Sequence, residues 1–407
     1  MTSLSATSNY ALRSCPQCAG LAVQTIHEGR FVLPEGHPLE SMVRVVACEY
    51  CGACFNDTAS TWQDYDRYYC NISKYADLRL SSGSGSSLED SRRLAETAGT
   101  IRDLAGATTG RILDIGCGAG GLLDGLAANG FKTLFGMDPA PACAAEVTRR
   151  GHRGVVGTIN HHPFGRNQAF DGVVLSHVLE HIRDVEVALA NVRDLLKPDG
   201  WLYVEVPDAA RYCECLIAPF QDFNLEHINH FSAGSLRNLI MANGWHVAYQ
   251  AGKTIDLGYG REYPATYAFA RPALPVNFSE PDPTLRAMLE SYAARSAQSM
   301  LAIKRLIDAE VRTGKFVVWG AGQFTMRFLG EYPTQIQQIA AIVDSNPVHH
   351  GRMIAGRRIL APSELNGRIA AEIPIVICSL VSRESIEAQI RTQGLSNRVI
   401  RLSLEAE

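Results

Sequence analysis

Ile112-Leu113-Asp114-Ile115-Gly116-Cys117-Gly118-Ala119-Gly120 runs from an apolar strand through a glycine-rich turn toward a helix. Glycines at such a turn let the backbone take positive φ and come close to a ligand. G-x-G-x-G alone is a weak signal, but its surroundings support it. Asp114 lies inside the strand, and Asp138 closes the next strand about twenty residues on. A carboxylate at that second place can accept from both hydroxyls of a ribose.

Outward from this turn the chain alternates strand and helix. Strands are legible at 112–116, 133–138, 154–157, 171–176 and 201–206, with helices between them. That alternation predicts a mostly parallel sheet covered on both faces. Upstream, Ser81-Ser82-Gly83-Ser84-Gly85-Ser86-Ser87 reads as a flexible linker. Ser86 with Glu89 forms a candidate capping box that opens a helix over 88–105. A second alternation starts near 315 (FVVWG, 339–344, 373–379 and 398–402), after a Pro-rich segment and a long helical stretch over 283–313. In it, Trp319-Gly320-Ala321-Gly322 follows a strand and Asp344 ends the next, like a reduced dinucleotide fold with few strands. The expected organisation is therefore 1–80, 81–270 and 271–407.

With 407 residues, 46% hydrophobic and 20% charged, the composition is that of a globular chain of more than one domain. Lys+Arg 38 against Asp+Glu 42 gives a net charge of −4, which argues against a nucleic-acid partner. No apolar run approaches a membrane span, and MTSLSATSNYALRS lacks the apolar core of a signal peptide, so a cytoplasmic location is expected. Eleven cysteines are many for that compartment. Five fall within the first 54 residues, as Cys15-x-x-Cys18 and Cys48-x-x-Cys51-x-x-Cys54. Two such knuckles supply four thiolates, Cys15, Cys18, Cys48 and Cys51, to one structural Zn2+, with Cys54 a fifth thiol that leaves the fourth ligand open and redox thiols as the alternative reading. Residues 1–60 carry three Arg, no Lys and five acids, the wrong sign for RNA.

Asp222-Phe223-Asn224-Leu225-Glu226-His227-Ile228-Asn229-His230-Phe231-Ser232 follows the fifth strand's carboxyl end, the edge where open α/β sheets bind ligands. His227 is the candidate general base, since an imidazole titrates near neutrality, and Glu226 is placed to orient it. His181, in Ser176-His177-Val178-Leu179-Glu180-His181, projects from the fourth strand's edge. Tyr69 and Tyr75 either close over a ligand or simply pack.

Residues 108–250 resemble class I S-adenosylmethionine-dependent methyltransferases, on the strength of LDIGCGAG, Asp138, the strand from Phe170 and His177 in that order. The resemblance implies that Asp114, Gly116, Gly118 and Gly120 surround the methionine and ribose and that Asp138 holds the ribose. It puts His177 beside the methionine and Thr158 in the slot near adenine where the family often carries an acid. An NAD-type domain is the alternative; the G-x-G-x-G spacing and Asp114 count against it.

Over nearly its full length the chain is similar to deoxysugar C-methyltransferases of the tetronitrose-pathway type. By that resemblance it is a three-part enzyme: a zinc-binding ribbon, a class I methyltransferase Rossmann-like domain and a smaller C-terminal Rossmann-like α/β domain that helps wall the substrate cleft. The implied substrate is a nucleotide-linked 4-keto sugar, with His227 as base and Glu226 and His181 touching the sugar. Asn224 stands where that family tends to have a tyrosine. O- or N-methylation of a related small molecule, RNA or protein methylation, and an inactive cofactor-binding scaffold are the other readings.

Overall fold

The computed structural model describes residues 11–72, 83–165, 169–276, 281–311, 314–380 and 382–404. Tyr75 and the linker residues Ser81 and Ser82 lie outside them. The chain forms two compact units: Met1–Ile26, Val45–Cys215 and Glu226–Leu289 make the first, and His27–Arg44, Leu216–Leu225 and Glu290–Glu407 the second.

The first unit opens on β1 (Val23–Arg30), β2 (Met42–Cys48) and β3 (Cys54–Asn56), the first two running across its boundary. Helix α1 (Trp62–Asn71) begins at a reciprocal Thr61–Asp64 cap. Helix α2 (Leu88–Ala105) fills the span expected from sequence, but its cap is one residue later. Ser87 accepts from the Asp90 N–H at 3.1 Å, while the Ser86 hydroxyl pairs with that of Ser84 at 2.7 Å.

The central sheet then follows: β4 (Arg111–Ile115), α3 (Gly121–Ala128), β5 (Thr133–Asp138), α4 (Pro141–Arg149), β6 (Arg153–Val156), β7 (Phe170–Ser176), α5 (Val185–Leu195) and β8 (Leu196–Pro207). After β9 (Asn229–His230) and α6 (Ala233–Ala242), the hairpin β10 (Trp245–Gly258) and β11 (Arg261–Pro272) completes it in the order β10-β11-β8-β7-β4-β5-β6. Strands β4 to β8 pair in parallel, and β11 joins β8 antiparallel. Ile112, Leu113, Val173, Val174 and Leu202 are buried on both faces, as strands under helical cover must be. Strand order reverses between β4 and β7, and a ligand crevice is expected outside the carboxyl ends there.

The small strand β9 pairs not with this sheet but with β3, placing His230 opposite Cys54 and Asn229 opposite Phe55. The cysteine-bearing sheet β1-β2-β3-β9 thus holds one end of the Glu226–His227 segment.

The second unit contains most of α7 (Leu285–Val311), then β12 (Phe316–Trp319), α8 (Gln323–Glu331), β13 (Ile339–Val343), β14 (Met353–Ile354), β15 (Arg357–Leu360), β16 (Ile375–Ile377), α9 (Arg383–Thr392) and β17 (Val399–Arg401). Its sheet has the order β14-β15-β13-β12-β16-β17. The expectation of few strands is therefore corrected: the two added strands, β14 and β15, are short and too polar at Arg357 and Arg358 to register as apolar runs. Asp344 accepts from the Ala321 N–H at 2.6 Å, closing the glycine turn on itself.

Candidate active site

The crevice at the switch point contains a cavity of about 120 Å³. One wall is the carboxyl edge of the sheet: Gly116 after β4, Asp138 and Pro139 at β5, Gly157 to Asn160 after β6, and His177, Val178 and His181 to Arg183 after β7. The other wall is α1, through Trp62, Tyr65, Asp66 and Tyr69.

The glycine turn is built as its sequence requires. Gly116, Gly118 and Gly120 all have positive φ. A Cβ on Gly116 would lie 2.6 Å from Val178 Cγ2, so only glycine lets β4 run this close to the β7 loop. Asp138 accepts from Gly118 N–H at 3.0 Å and Ala140 N–H at 2.9 Å. Burial nevertheless outweighs those bonds and raises its pKa. Asp114 is fully enclosed in β4; burial, then the field of Asp138, pushes its pKa up to about 8. Of the seven residues expected around a cofactor, Gly116, Asp138, Thr158 and His177 line the cavity. Asp114, Gly118 and Gly120 lie outside its lining.

His177 takes φ of 55°, a left-handed conformation that costs a non-glycine residue on the order of 1–3 kcal/mol. Its surroundings hold it there. Its N–H donates to the Glu205 carbonyl at 2.8 Å, and its ring lies between two buried carboxylates, Glu180 Oε1 at 3.4 Å and Glu205 Oε1 at 3.2 Å. Burial alone would lower the His177 pKa, but the two carboxylates outweigh it and raise it. Glu205 in turn accepts from Tyr203 Oη and Lys253 Nζ, each at 2.6 Å. Burial would raise its pKa, yet Lys253 and His177 hold it well below the usual carboxylate range.

The three expected catalytic residues come together in this unit. His181 lines the cavity, and its Nδ1 lies 2.9 Å from the Glu226 carbonyl oxygen. A carbonyl only accepts, so Nδ1 carries the proton and Nε2 points toward Glu180 Oε1, 3.8 Å away. The His227 ring meets that of His181 edge-on with centroids 5.0 Å apart. Ligand atoms of Glu180, His181 and His227 lie within 4.8 Å of one another, a donor set that could also hold a cation. The Glu226 carboxylate accepts from Tyr68 Oη at 2.9 Å.

Several contributors were not legible in sequence. Tyr68 has no sequence signal that sets it apart from Tyr69, whose ring sits 5.9 Å from that of His181. Asn224 turns its amide back to the Gln221 carbonyl at 2.7 Å, so the tyrosine hydroxyl at Glu226 arrives from α1 instead. Arg13 is buried and donates to the carbonyls of Arg183 and Ile228 and to the Asn229 side chain, tying the β7 loop to the Glu-His segment. His230 is core: burial, then Arg13, lowers its pKa to about 3. The eleven-residue loop itself divides, with Asp222–Leu225 in the second unit and Glu226 onward in the first.

The N-terminal thiols form the other candidate centre. Sulfurs of Cys15, Cys18, Cys48 and Cys51 lie within 4.8 Å of one another, with Cys15–Cys51 at 3.4 Å and Cys18–Cys48 at 3.5 Å. Tetrahedral Zn–S bonds of about 2.3 Å place sulfurs roughly 3.8 Å apart, so the set fits zinc. Cys54 points its thiol to the Gly52 carbonyl and stands outside the four.

Residues 90–250 match the family model described as a methyltransferase domain. This region is an S-adenosylmethionine-dependent methyltransferase domain. Relatives of the methyltransferase domain include a ubiquinone biosynthesis O-methyltransferase of Azorhizobium caulinodans, 32% identical over 120 residues, 28% of this chain and 45% of that protein. One from a Bradyrhizobium species is 30% identical over 158 residues, 37% of this chain and 59% of that protein. These alignments span about half the length of those relatives. The C-methyltransferase NovU of Streptomyces niveus is 26% identical over 314 residues, 71% of each chain. Among solved structures, a 1,6-didemethyltoxoflavin N1-methyltransferase of Burkholderia thailandensis is 17% identical with a TM-score of 0.39, covering 56% of this chain and 96% of that one. No described helix is long and apolar enough to cross a membrane.

Proposed function

We propose that the protein moves a methyl group from S-adenosylmethionine to a carbon beside a ketone, on a nucleotide-linked 4-keto deoxysugar. The observation that carries this reading is the imidazole pair formed by His181, which lines the cavity, and His227, whose ring meets it 5.0 Å away, backed by Glu180 and Glu226. The similarity to NovU, which extends beyond the methyltransferase domain, supports a C-methyl acceptor. Gly116, Asp138, Thr158 and His177 would hold the cofactor, whose sulfonium supplies an electrophilic methyl carbon when bound.

His227 takes the proton from the carbon next to the ketone, and the C–H electron pair delocalises onto the carbonyl oxygen. The carbonyl is necessary, because only its neighbouring C–H is acidic enough for an imidazole to remove. His181, fixed by the Glu226 carbonyl as the Nδ1–H tautomer, presents Nε2 to the same space and orients the acceptor. Glu226, held by Tyr68, keeps the segment in place. When bound, the cofactor would supply its methyl carbon to the resulting carbanion and keep the S–C electron pair on sulfur. In the N-terminal segment, Cys15, Cys18, Cys48 and Cys51 would bind Zn2+ as thiolates and stiffen the sheet to which β9 is paired.

O-methylation is the second reading, favoured by the O-methyltransferase relatives of the central region. The test is methyl-labelled cofactor offered with nucleotide 4-keto sugars, their 4-hydroxy counterparts and a catechol. Label on carbon of the keto sugars alone supports the proposal; label on the catechol oxygen replaces it with the second reading.

A further inference from the structure

The slot after the third parallel strand holds Gly157-Thr158-Ile159-Asn160, with no carboxylate to receive the exocyclic amine of an adenine. Thr158 is occupied locally: its hydroxyl accepts from the His161 N–H at 3.1 Å, and its own N–H donates to the His161 carbonyl at 2.8 Å. A carboxylate does face this end of the cavity, from the opposite wall.

Trp62, Tyr65, Asp66 and Tyr69 are spaced i, i+3, i+4 and i+7, so one face of α1 lies over the cavity. The direction of the helix is fixed by two ring contacts. Trp62 sits on His161, centroids 4.8 Å apart, beside the β6 turn. Tyr69 sits near His181, at the end where the methyl would leave. Asp66, one turn after Trp62, therefore belongs to the β6 end. Its carboxylate makes no hydrogen bond or ion pair among the described residues. It is half-buried, and burial raises its pKa, with His161 alone opposing. A half-buried acceptor that meets no donor among the described residues is completed by a ligand that brings N–H groups.

Resting on the cofactor reading above, we propose that Asp66 takes the role of the missing loop acid and accepts a hydrogen bond from the adenine 6-amino group. The cofactor's base would then be read by a residue of the segment before the methyltransferase core rather than by the core itself. Asp66 acts as a specificity residue: it rejects a 6-oxo purine, whose carbonyl would face its carboxylate with no proton between them.

The test is calorimetric binding of S-adenosylhomocysteine and S-inosylhomocysteine to the full chain. The unaltered protein should favour the adenosyl form by about tenfold to a hundredfold, the range for a hydrogen bond to a charged group. Asp66→Asn, whose amide can donate to O6, should bring the two within about threefold by losing adenosyl and gaining inosyl affinity. Asp66→Ala should lose adenosyl affinity without the inosyl gain. Unchanged preference in Asp66→Asn, or equal loss for both ligands, overturns the assignment. Failure of the unaltered protein to bind either ligand overturns the cofactor reading instead.

Discussion

Lys253→Met isolates the buried charge that stands behind His177. Glu205 is fully buried and bonded at 2.6 Å to Lys253, whose side chain is 20% exposed. Removing one partner of a buried pair costs ~3–5 kcal/mol, mostly from the charge left unpaired. Lys253 keeps some water, and Glu205 keeps Tyr203 and His177, so the lower end applies, about 3 kcal/mol. Hydrogen exchange of amides in β8, which carries Glu205, reads this loss directly. A cost of about 3 kcal/mol is roughly a hundredfold faster opening, since ~1.4 kcal/mol is tenfold.

The pH dependence has a definite sign. In the unaltered protein the Glu205 pKa is depressed, so its stabilisation is present above the unfolded value of about 4.3 and lost as pH falls through the folded one. Without Lys253, burial raises that pKa and the unfolded state gives up its proton first. The cost of the substitution therefore grows between about pH 5 and 7. Exchange within threefold of the unaltered protein, or an equal difference at both ends of that range, would refute the reasoning.

Gly116→Ala should weaken S-adenosylhomocysteine binding by at least about tenfold in titration calorimetry, because φ of 70° and a contact 2.6 Å from Val178 must both be relieved. Cys48→Ser should lower zinc content well below one per chain in elemental analysis, whereas Cys54→Ser should leave it at one. Equal loss in both variants would count against the four-sulfur set.

Legibility followed sequence distance. The glycine turn, Asp138 and the two cysteine knuckles were readable because a short segment carries their geometry. Helix α2 is legible over its whole span but its cap is not, since Ser86 and Ser87 are adjacent and only backbone geometry chooses between them. The α1 wall was half-seen: Tyr69 stood out as an aromatic, while Tyr68 and Asp66 acquire meaning only against Glu226 and the β6 turn, far along the chain. Glu205 and Lys253 are 48 residues apart on different strands, and nothing local marks either as the support of His177. The division of the Glu-His loop between two units was equally invisible, because no change of composition accompanies it.

Solvent exchange at the substrate carbon tests the central claim most directly. The protein, a nucleotide 4-keto deoxysugar and S-adenosylhomocysteine in deuterium oxide should exchange the proton next to the ketone, seen by NMR. His227→Ala should lower that rate by about a hundredfold or more, the scale of a general base. Exchange that survives in His227→Ala, or methylation of a sugar that lacks the ketone, would contradict it.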